Sequence, residues 1–145
     1  MNIEGRHELA GDLAILYMNK ASVVRNLGDT RAALIPYDRA IKILERLVNV
    51  DGRRELANDL ASVYLNKAVA VMSLGDNRAA VGLYDRAIEI RERLVNIEGR
   101  RELAGDLAMA YMSKAIALHA LGNNRIAMAL YNRASPLFAP DGGLC

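Results

Sequence analysis

The sequence repeats itself three times at a spacing of 47 residues. The pentapeptide NIEGR stands at 2–6 and returns at 96–100, with NVDGR at 49–53 between them. The segments that follow also match one another, as HELAGDLAILYMNKA, RELANDLASVYLNKA and RELAGDLAMAYMSKA. A protease-cleavage scar would not recur in register with everything downstream, so the opening NIEGR belongs to the protein. The chain is therefore expected to form an array of stacked repeats.

The repeat spacing predicts a single repeat domain over residues 1–145. Its repeats cover 2–48, 49–95 and 96–142. The third repeat is degenerate at its C-terminus, where YNRASPLFAPDG replaces YDRAIKILERLV and YDRAIEIRERLV.

Each repeat reads as two helices, and no segment reads as a strand. In the second copy, apolar residues recur at steps of three and four, as a buried helical stripe requires: Leu56, Leu60, Tyr64, Ala68, Val71 and Leu74. Gly75 is placed to end this first helix (helix A), and Asp76 or Asn77 to cap the next one (helix B). The two helices are predicted to span about 20 and about 18 residues, each close to 30 Å long. NIEGR is then expected to be the loop between repeats.

Composition and charge exclude several classes of protein. The chain is 52% hydrophobic and 25% charged, which is typical of a globular protein. Its arginines alternate with acids, without a basic block or interleaved aromatic residues, so no nucleic-acid partner is expected. The longest uncharged stretch, 115–124, is too short to span a membrane, and an N-terminus with this many acids is not a signal peptide. The single cysteine, Cys145, fits a reducing cytoplasm.

The segment YLNKAVAVMSLGDNRAAVGLYDRAI (64–88) and its counterparts resemble the tetratricopeptide repeats. The matching positions in the three copies are Tyr17, Tyr64 and Tyr111; Ala21, Ala68 and Ala115; Gly28, Gly75 and Gly122; Ala33, Ala80 and Ala127; Tyr37, Tyr84 and Tyr131; Ala40, Ala87 and Ala134. The resemblance implies an all-α, right-handed superhelical array of three helix-turn-helix repeats, with six helices. The unit is longer than the common one of about 34 residues, lacks the usual proline after helix B, and places a lysine where an apolar residue is usual. Similar long repeats suggest a bacterial origin.

The resemblance further implies that helix A faces line a concave surface that binds an extended or helical peptide. The partner-binding positions carried over from the family are Ile15, Met18, Arg25, Leu65, Val69, Met72, Met109, Met112, Ile116 and His119. Methionine is flexible and polarisable, so a surface rich in it can adapt to an amphipathic helix. The alternative is that these residues are core, because long helices can bury more of their inner face.

The sequence offers little material for catalysis. His7 and His119 occupy different positions within their repeats, and His7 is expected to be solvated. No Cys/His cluster has metal-ligand spacing, and there is no glycine-rich phosphate loop. Acid pairs such as Glu55 and Asp59 recur in every copy, as a structural surface does and a single active site does not. We expect no enzyme activity, no metal and no cofactor, and predict a protein–protein interaction scaffold; the alternative is a self-associating structural module without a separate ligand.

Three further expectations concern particular residues. Lys20, Lys67 and Lys114 are predicted to be partly buried and either to find carboxylates or backbone carbonyls or to extend the amine to the solvent edge, since an unpaired buried ammonium is costly. Pro36 is expected to kink the first helix B, and Pro136 to end the third one early, followed by a poorly ordered tail, APDGGLC.

The ends of the array lack the polar faces that terminal repeats normally carry. The first helix A is as apolar as its internal copies, with Leu9, Leu13, Leu16, Tyr17 and Val24. Exposed apolar surface of this kind favours association, so a homo-oligomer is predicted, most simply a two-fold dimer joined through terminal helices or the apolar inner faces. The alternative is that the chain is a piece of a longer array whose further repeats cover these faces.

Overall fold

The computed structural model of the protein describes residues 2–138. The tail APDGGLC and Cys145 lie outside these residues. The described part contains six α-helices and no strand: α1 (Ile3–Asn26), α2 (Thr30–Glu45), α3 (Ala57–Ser73), α4 (Asn77–Glu92), α5 (Ala104–Ala120) and α6 (Asn124–Ala134). The prediction of an all-α array is confirmed. None of the helices in 2–138 combines the length and apolarity needed to cross a bilayer.

Helix A ends at a glycine in each copy, as predicted. Gly28 and Gly75 have φ values of 97° and 93°, a left-handed conformation that a side chain would strain. In the first two copies the residue after the glycine caps helix B, whereas Asn123 makes no such bond at the start of α6. Asp29 accepts a hydrogen bond from the Ala32 N–H at 3.1 Å, and Asp76 makes the same bond at the start of α4. This capping fixes the tight turn between the two helices of a repeat.

The connection from helix B to the next helix A uses a second glycine. Gly52 and Gly99 have φ values of 74° and 73°. They follow a single π-helical turn, Arg46–Val50 or Arg93–Ile97, that continues helix B. These two copies of the NIEGR-like segment form the predicted loop.

The first copy of NIEGR differs, and the prediction of a loop is wrong there. Helix α1 begins at Ile3, and the Asn2 side chain accepts a hydrogen bond from the Gly5 N–H at 2.7 Å. Asn49 and Asn96 lie inside the π-helical turns, so they cannot cap a helix, whereas Asn2 can. The same pentapeptide therefore starts a helix or follows one, according to what precedes it.

Small residues set the helix spacing. All nine alanines of the repeat pattern are buried, namely Ala21, Ala33, Ala40, Ala68, Ala80, Ala87, Ala115, Ala127 and Ala134. Because an alanine side chain ends at Cβ, the helix backbones can approach closely at these positions. Tyr37 and Tyr84 fill the space between repeats and are fully buried. Tyr131 is 39% exposed, because within the described residues no helix packs beyond α6.

The two prolines behave differently. Pro36 is buried inside α2 (Thr30–Glu45), and the helix continues beyond it to Glu45. Helix α6 ends at Ala134, and a 3-10 turn, Ser135–Phe138, contains Pro136. The early end of the third helix B is confirmed. Helix α6 has 11 residues where α2 has 16.

Candidate protein-binding surface

The ten predicted binding residues share one face of the three A helices, which we call the inner face. Ile15, Met18 and Arg25 lie on α1; Leu65, Val69 and Met72 on α3; Met109, Met112, Ile116 and His119 on α5. Within each helix they are separated by three, four or seven residues, which places them on the same side. None of the ten is buried. If these residues were core, as the alternative holds, they would be buried, whereas each is partly or largely exposed.

The inner face has a half-buried floor and exposed positions above it. Leu65 and Met72 on α3, and Met112 on α5, are partly buried and pack against the core. The side chains of Val69, Met109 and Ile116 are 42%, 52% and 48% exposed. Exposed and half-buried apolar side chains thus alternate along α3 and α5, where sequence reasoning placed the apolar, methionine-rich end of the surface.

Two polar residues of the inner face form hydrogen bonds with other residues of the protein. Arg25 Nη1 donates to the Asn66 carbonyl oxygen at 3.4 Å, which links the end of α1 to α3. His119 Nδ1 lies 2.7 Å from Asn124 Oδ1, across the turn between α5 and α6. Arg25 therefore bridges two A helices in addition to presenting a charge at this surface.

Arg91 makes a buried contact beside the inner face that the sequence did not reveal. Its side chain is buried and joins three helices: Nε donates to Asn58 Oδ1 at 3.2 Å, Nη2 to Ser62 Oγ at 3.2 Å, and Nη1 to the Asp106 carbonyl oxygen at 2.9 Å. Burial lowers the pKa of Arg91, and the charge of Asp106 opposes that shift. Leu44 occupies the same place in the first repeat, so this tie belongs to the second repeat alone. It fixes Ser62 at the edge of the inner face.

His7 is half-buried and paired, and the expectation that it would be solvated is not met. Its Nε2 lies 3.3 Å from Asp51 Oδ2. Arg54 and Glu98 make the corresponding ion pair 47 residues later, at 2.8 Å. The histidine therefore takes over a structural contact between a helix A and the turn that follows helix B. In the described residues no group of three or more potential metal ligands is close enough together to hold an ion.

A second surface lies along the outer side of α1. Leu9, Leu13, Leu16, Lys20 and Val23 occur at steps of three and four, and we call this stripe the outer flank. Its residues are exposed, with Leu9 at 54% and Leu16 at 57%. Some 47 residues later the same positions face the preceding helix B. Leu60 and Val63 there are fully buried.

The predicted lysine pairs are confirmed in two copies. Lys67 Nζ lies 2.6 Å from Asp38 Oδ1, and Lys114 Nζ lies 2.5 Å from Asp85 Oδ1. Each acid belongs to helix B of the preceding repeat, so the pairs join repeats to one another. Lys20 is exposed and makes no ion pair within residues 2–138.

A tyrosine–glutamate hydrogen bond accompanies each lysine pair and was not anticipated from the sequence. Tyr64 donates to Glu45, and Tyr111 donates to Glu92 Oε2 at 2.6 Å. Burial and then the bond to Glu45 raise the pKa of Tyr64 from 10.0 to about 12. Burial and the bond to Glu92 likewise raise the pKa of Tyr111. The acid and the tyrosine recur at the 47-residue spacing, which is the signal that could have identified the contact.

The chain is similar to one known family and to solved structures. A family model described as tetratricopeptide repeat matches residues 60–102. The fold is similar to the crystal structure of BtubC (BKLC) from P. vanneervenii, with a TM-score of 0.76 and 27% identity over 91% of this chain. The chain spans about half the length of that protein, 49%. It is also similar to the N-terminal domain of stress-induced protein-1 (STI-1) from C. elegans, with a TM-score of 0.66 and 18% identity, over 91% of this chain and 90% of the other. No curated protein matches the sequence.

Proposed function

Because residues 60–102 match the tetratricopeptide repeat model and the fold matches solved structures, we propose that the chain belongs to this family. We propose further that it is a protein–protein interaction scaffold whose inner face binds a peptide or a partner helix. The fold is generally used for protein–protein interaction. The observation that carries the proposal is the exposure of Val69, Met109 and Ile116 above a half-buried apolar floor.

The chemistry of the inner face favours a ligand with an apolar side. On α3 and α5 its members are apolar except His119, and methionine side chains can repack around different shapes. An amphipathic helix or an extended peptide with alternating apolar residues supplies the matching surface. A clamp for a C-terminal carboxylate is not part of the proposal. Lys67 and Lys114, the cations of α3 and α5, are engaged with Asp38 and Asp85.

Selection of peptides from a displayed library against the full chain tests this proposal. The affinity of each selected peptide is then measured for the wild type and for a double variant, Met109→Glu with Ile116→Glu. Both side chains are exposed, so the fold should survive, and circular dichroism checks that it does. We expect a loss of at least about tenfold, since two buried apolar contacts are each worth more than 1 kcal/mol.

A matched control is Ile35→Glu on α2, an exposed apolar residue outside the inner face. Its affinity should equal that of the wild type. Equal binding by the inner-face variant and the wild type would contradict the proposal, as would the absence of any selected peptide.

Self-association without a separate ligand is the second candidate function. It is favoured by exposed apolar residues at both ends of the array, in the outer flank and at Met128, Tyr131 and Phe138 near the C-terminal end. A homodimer buries such surface with a stabilisation of about 25 cal/mol per Å². Sedimentation at micromolar concentration tests this: a monomer that does not shift on concentrating would contradict it. Leu9→Glu with Leu13→Glu should dissociate an oligomer that uses the outer flank, and Met109→Glu with Ile116→Glu one that uses the inner face.

In either case the proposed role is non-enzymatic and needs no cofactor. The family to which the chain belongs is generally a binding scaffold. A sequence with one cysteine fits a reducing compartment, and we place the protein in the cytoplasm as part of this proposal.

A further inference from the structure

The outer flank of α1 is a copy of a surface that the same molecule covers twice. At the α2–α3 contact, Leu60 and Val63 are fully buried. At the α4–α5 contact, Leu107 and Ala110 take the same positions and are buried too. The apolar part of the outer flank, from Leu9 to Val23, thus has the residue pattern of a helix-docking face, and no helix of residues 2–138 covers it.

Two polar side chains beside the outer flank, Tyr17 and Arg39, are also arranged as in the covered copies. The Arg39 guanidinium lies 5.7 Å from the centre of the Tyr17 ring. Arg86 lies over Tyr64 at 5.8 Å in the same way. In that covered copy Glu45 receives the Tyr64 hydrogen bond and lies 3.7 Å from Arg86 Nη1. Tyr17 and Arg39 are placed as in that copy, but no acid among residues 2–138 accepts a hydrogen bond from Tyr17.

Lys20 completes the set of donors. Its two counterparts each bind an aspartate of the preceding helix B, at 2.6 and 2.5 Å. That aspartate stands seven residues before the glutamate that binds the tyrosine, since Asp38 precedes Glu45 and Asp85 precedes Glu92. Seven residues are two helical turns, so both carboxylates lie on one side of the docking helix.

We propose that the outer flank of α1 binds an amphipathic helix that carries two carboxylates seven residues apart, flanked by large apolar side chains. The first carboxylate pairs with Lys20, and the second accepts from Tyr17 and attracts Arg39. This surface and its ligand class are separate from the inner face and go beyond the function proposed above.

A second copy of this chain matches the requirement poorly. Helices α2 and α4 carry the two acids, but α3 and α5 already cover them. The free helix B is α6, where Asn132 stands in place of the aspartate and position 139 is alanine in place of the glutamate. Charge complementarity therefore favours a helix from a different source over α6 of another copy.

A synthetic peptide with the sequence of residues 77–97 is the probe. It carries Asp85 and Glu92 and is held helical by a cross-link between the exposed positions 86 and 93. The matched control peptide has Asp85→Asn and Glu92→Gln. Fluorescence anisotropy with the full chain gives both affinities. We expect the acidic peptide to bind about tenfold more tightly at low salt, since each partly exposed ion pair contributes up to about 1 kcal/mol.

Two variants of the protein test whether Lys20 causes the preference for the acidic peptide. Lys20→Met should cut the ratio of the two affinities to about threefold or less by removing one of the two contacts. Lys42→Met, an exposed lysine on α2, should leave the ratio unchanged. The preference should also fall as salt is added, because exposed charges are screened.

Equal affinities for the two peptides, or no binding of either, would overturn the proposal. It would also be overturned by a dimer of the chain alone that Leu13→Glu dissociates and the acidic peptide does not. The inner-face variant Met109→Glu with Ile116→Glu should bind the acidic peptide normally. Failure of the outer-flank proposal therefore does not contradict the inner-face proposal, and failure of the inner-face proposal does not contradict the outer-flank proposal.

Discussion

Lys67 Nζ lies 2.6 Å from Asp38 Oδ1 and joins α3 to the helix B of the preceding repeat. The pair recurs at the next junction, between Lys114 and Asp85. It has no counterpart within the described residues at Lys20, on the first A helix. The lysine that departs from the family pattern is thus a repeat-to-repeat contact, and at α1 the same position is not covered by any other helix of residues 2–138.

Asp38→Asn should lower the free energy of unfolding by about 0.5 kcal/mol, the usual value of a partly exposed ion pair. The asparagine matches the residue that the third repeat carries, so the change introduces no new shape. Urea unfolding at neutral pH measures it. Glu89→Gln, on an exposed part of α4, serves as control and should have no effect. A loss equal to that of the control would show that the pair is not stabilising.

The stability of the protein should fall as pH rises from about 10 to 12, partly through Tyr64. Its pKa in the folded state is raised to about 12 from 10.0. A group with a raised pKa contributes stability that is present below the unfolded value and is lost as pH passes through the folded value. Tyr64→Phe should be less stable than the wild type at pH 8, and the gap should narrow at pH 12. Urea unfolding at both values tests this; a gap that widens would contradict it.

Arg91→Leu should lower the free energy of unfolding by about 1–2 kcal/mol, because leucine fills the space but leaves Asn58 and Ser62 without their hydrogen-bond partner. Leu44 is fully buried at this place in the first repeat, where Gly11 and Ile15 stand in place of Asn58 and Ser62. Arg91→Ala should cost about 2–3 kcal/mol, because it leaves a cavity and unsatisfied polar partners. Thermal unfolding of the two variants side by side separates packing from charge. A larger loss for leucine than for alanine would contradict this reasoning.

Pro36→Leu should raise the melting temperature. A proline inside a helix lacks the backbone N–H and crowds the preceding turn, at a cost of about 3 kcal/mol relative to alanine in an exposed helix. The other repeats carry Leu83 and Leu130 at this position, so the space suits leucine. Calorimetry measures the shift. A lower melting temperature would show that the packing around the buried Pro36 has adapted to the ring.

The sequence predicted best what depends on local chemistry. Gly28 and Gly75 end helices because only glycine takes the left-handed conformation without strain. The lysine pairs were predictable in kind, since a partly buried ammonium needs an acid. Choosing Asp38 over Asp59 as the partner of Lys67 required the way in which repeats stack. The prediction of a loop at the first NIEGR was wrong because the later copies begin within a π-helical turn and the first copy starts a helix. The pentapeptide has the same sequence in both settings, so the sequence did not distinguish them.

Contacts between distant positions were the part that the sequence could not supply. The three bonds of Arg91 join residues 15 to 33 positions away, and the second repeat alone makes them. The exposure of Leu9, Leu13 and Leu16 was anticipated from the sequence, whereas Lys20 was predicted to be partly buried and is exposed. The arrangement of Arg39 over Tyr17 points to a binding surface only when it is compared with Arg86 over Tyr64 at the covered junction.

Methionine methyl NMR tests the proposed use of the inner face most directly. Four of the six methionines, Met18, Met72, Met109 and Met112, belong to the inner face, and Met128 on α6 lies outside it. Titration of a library-selected peptide into the ¹³C-methyl-labelled full chain should shift the signals of Met109 and Met112 first, with Met72 following, while Met128 stays in place. A shift of Met128 with unchanged signals from the four inner-face methionines would contradict binding at the inner face.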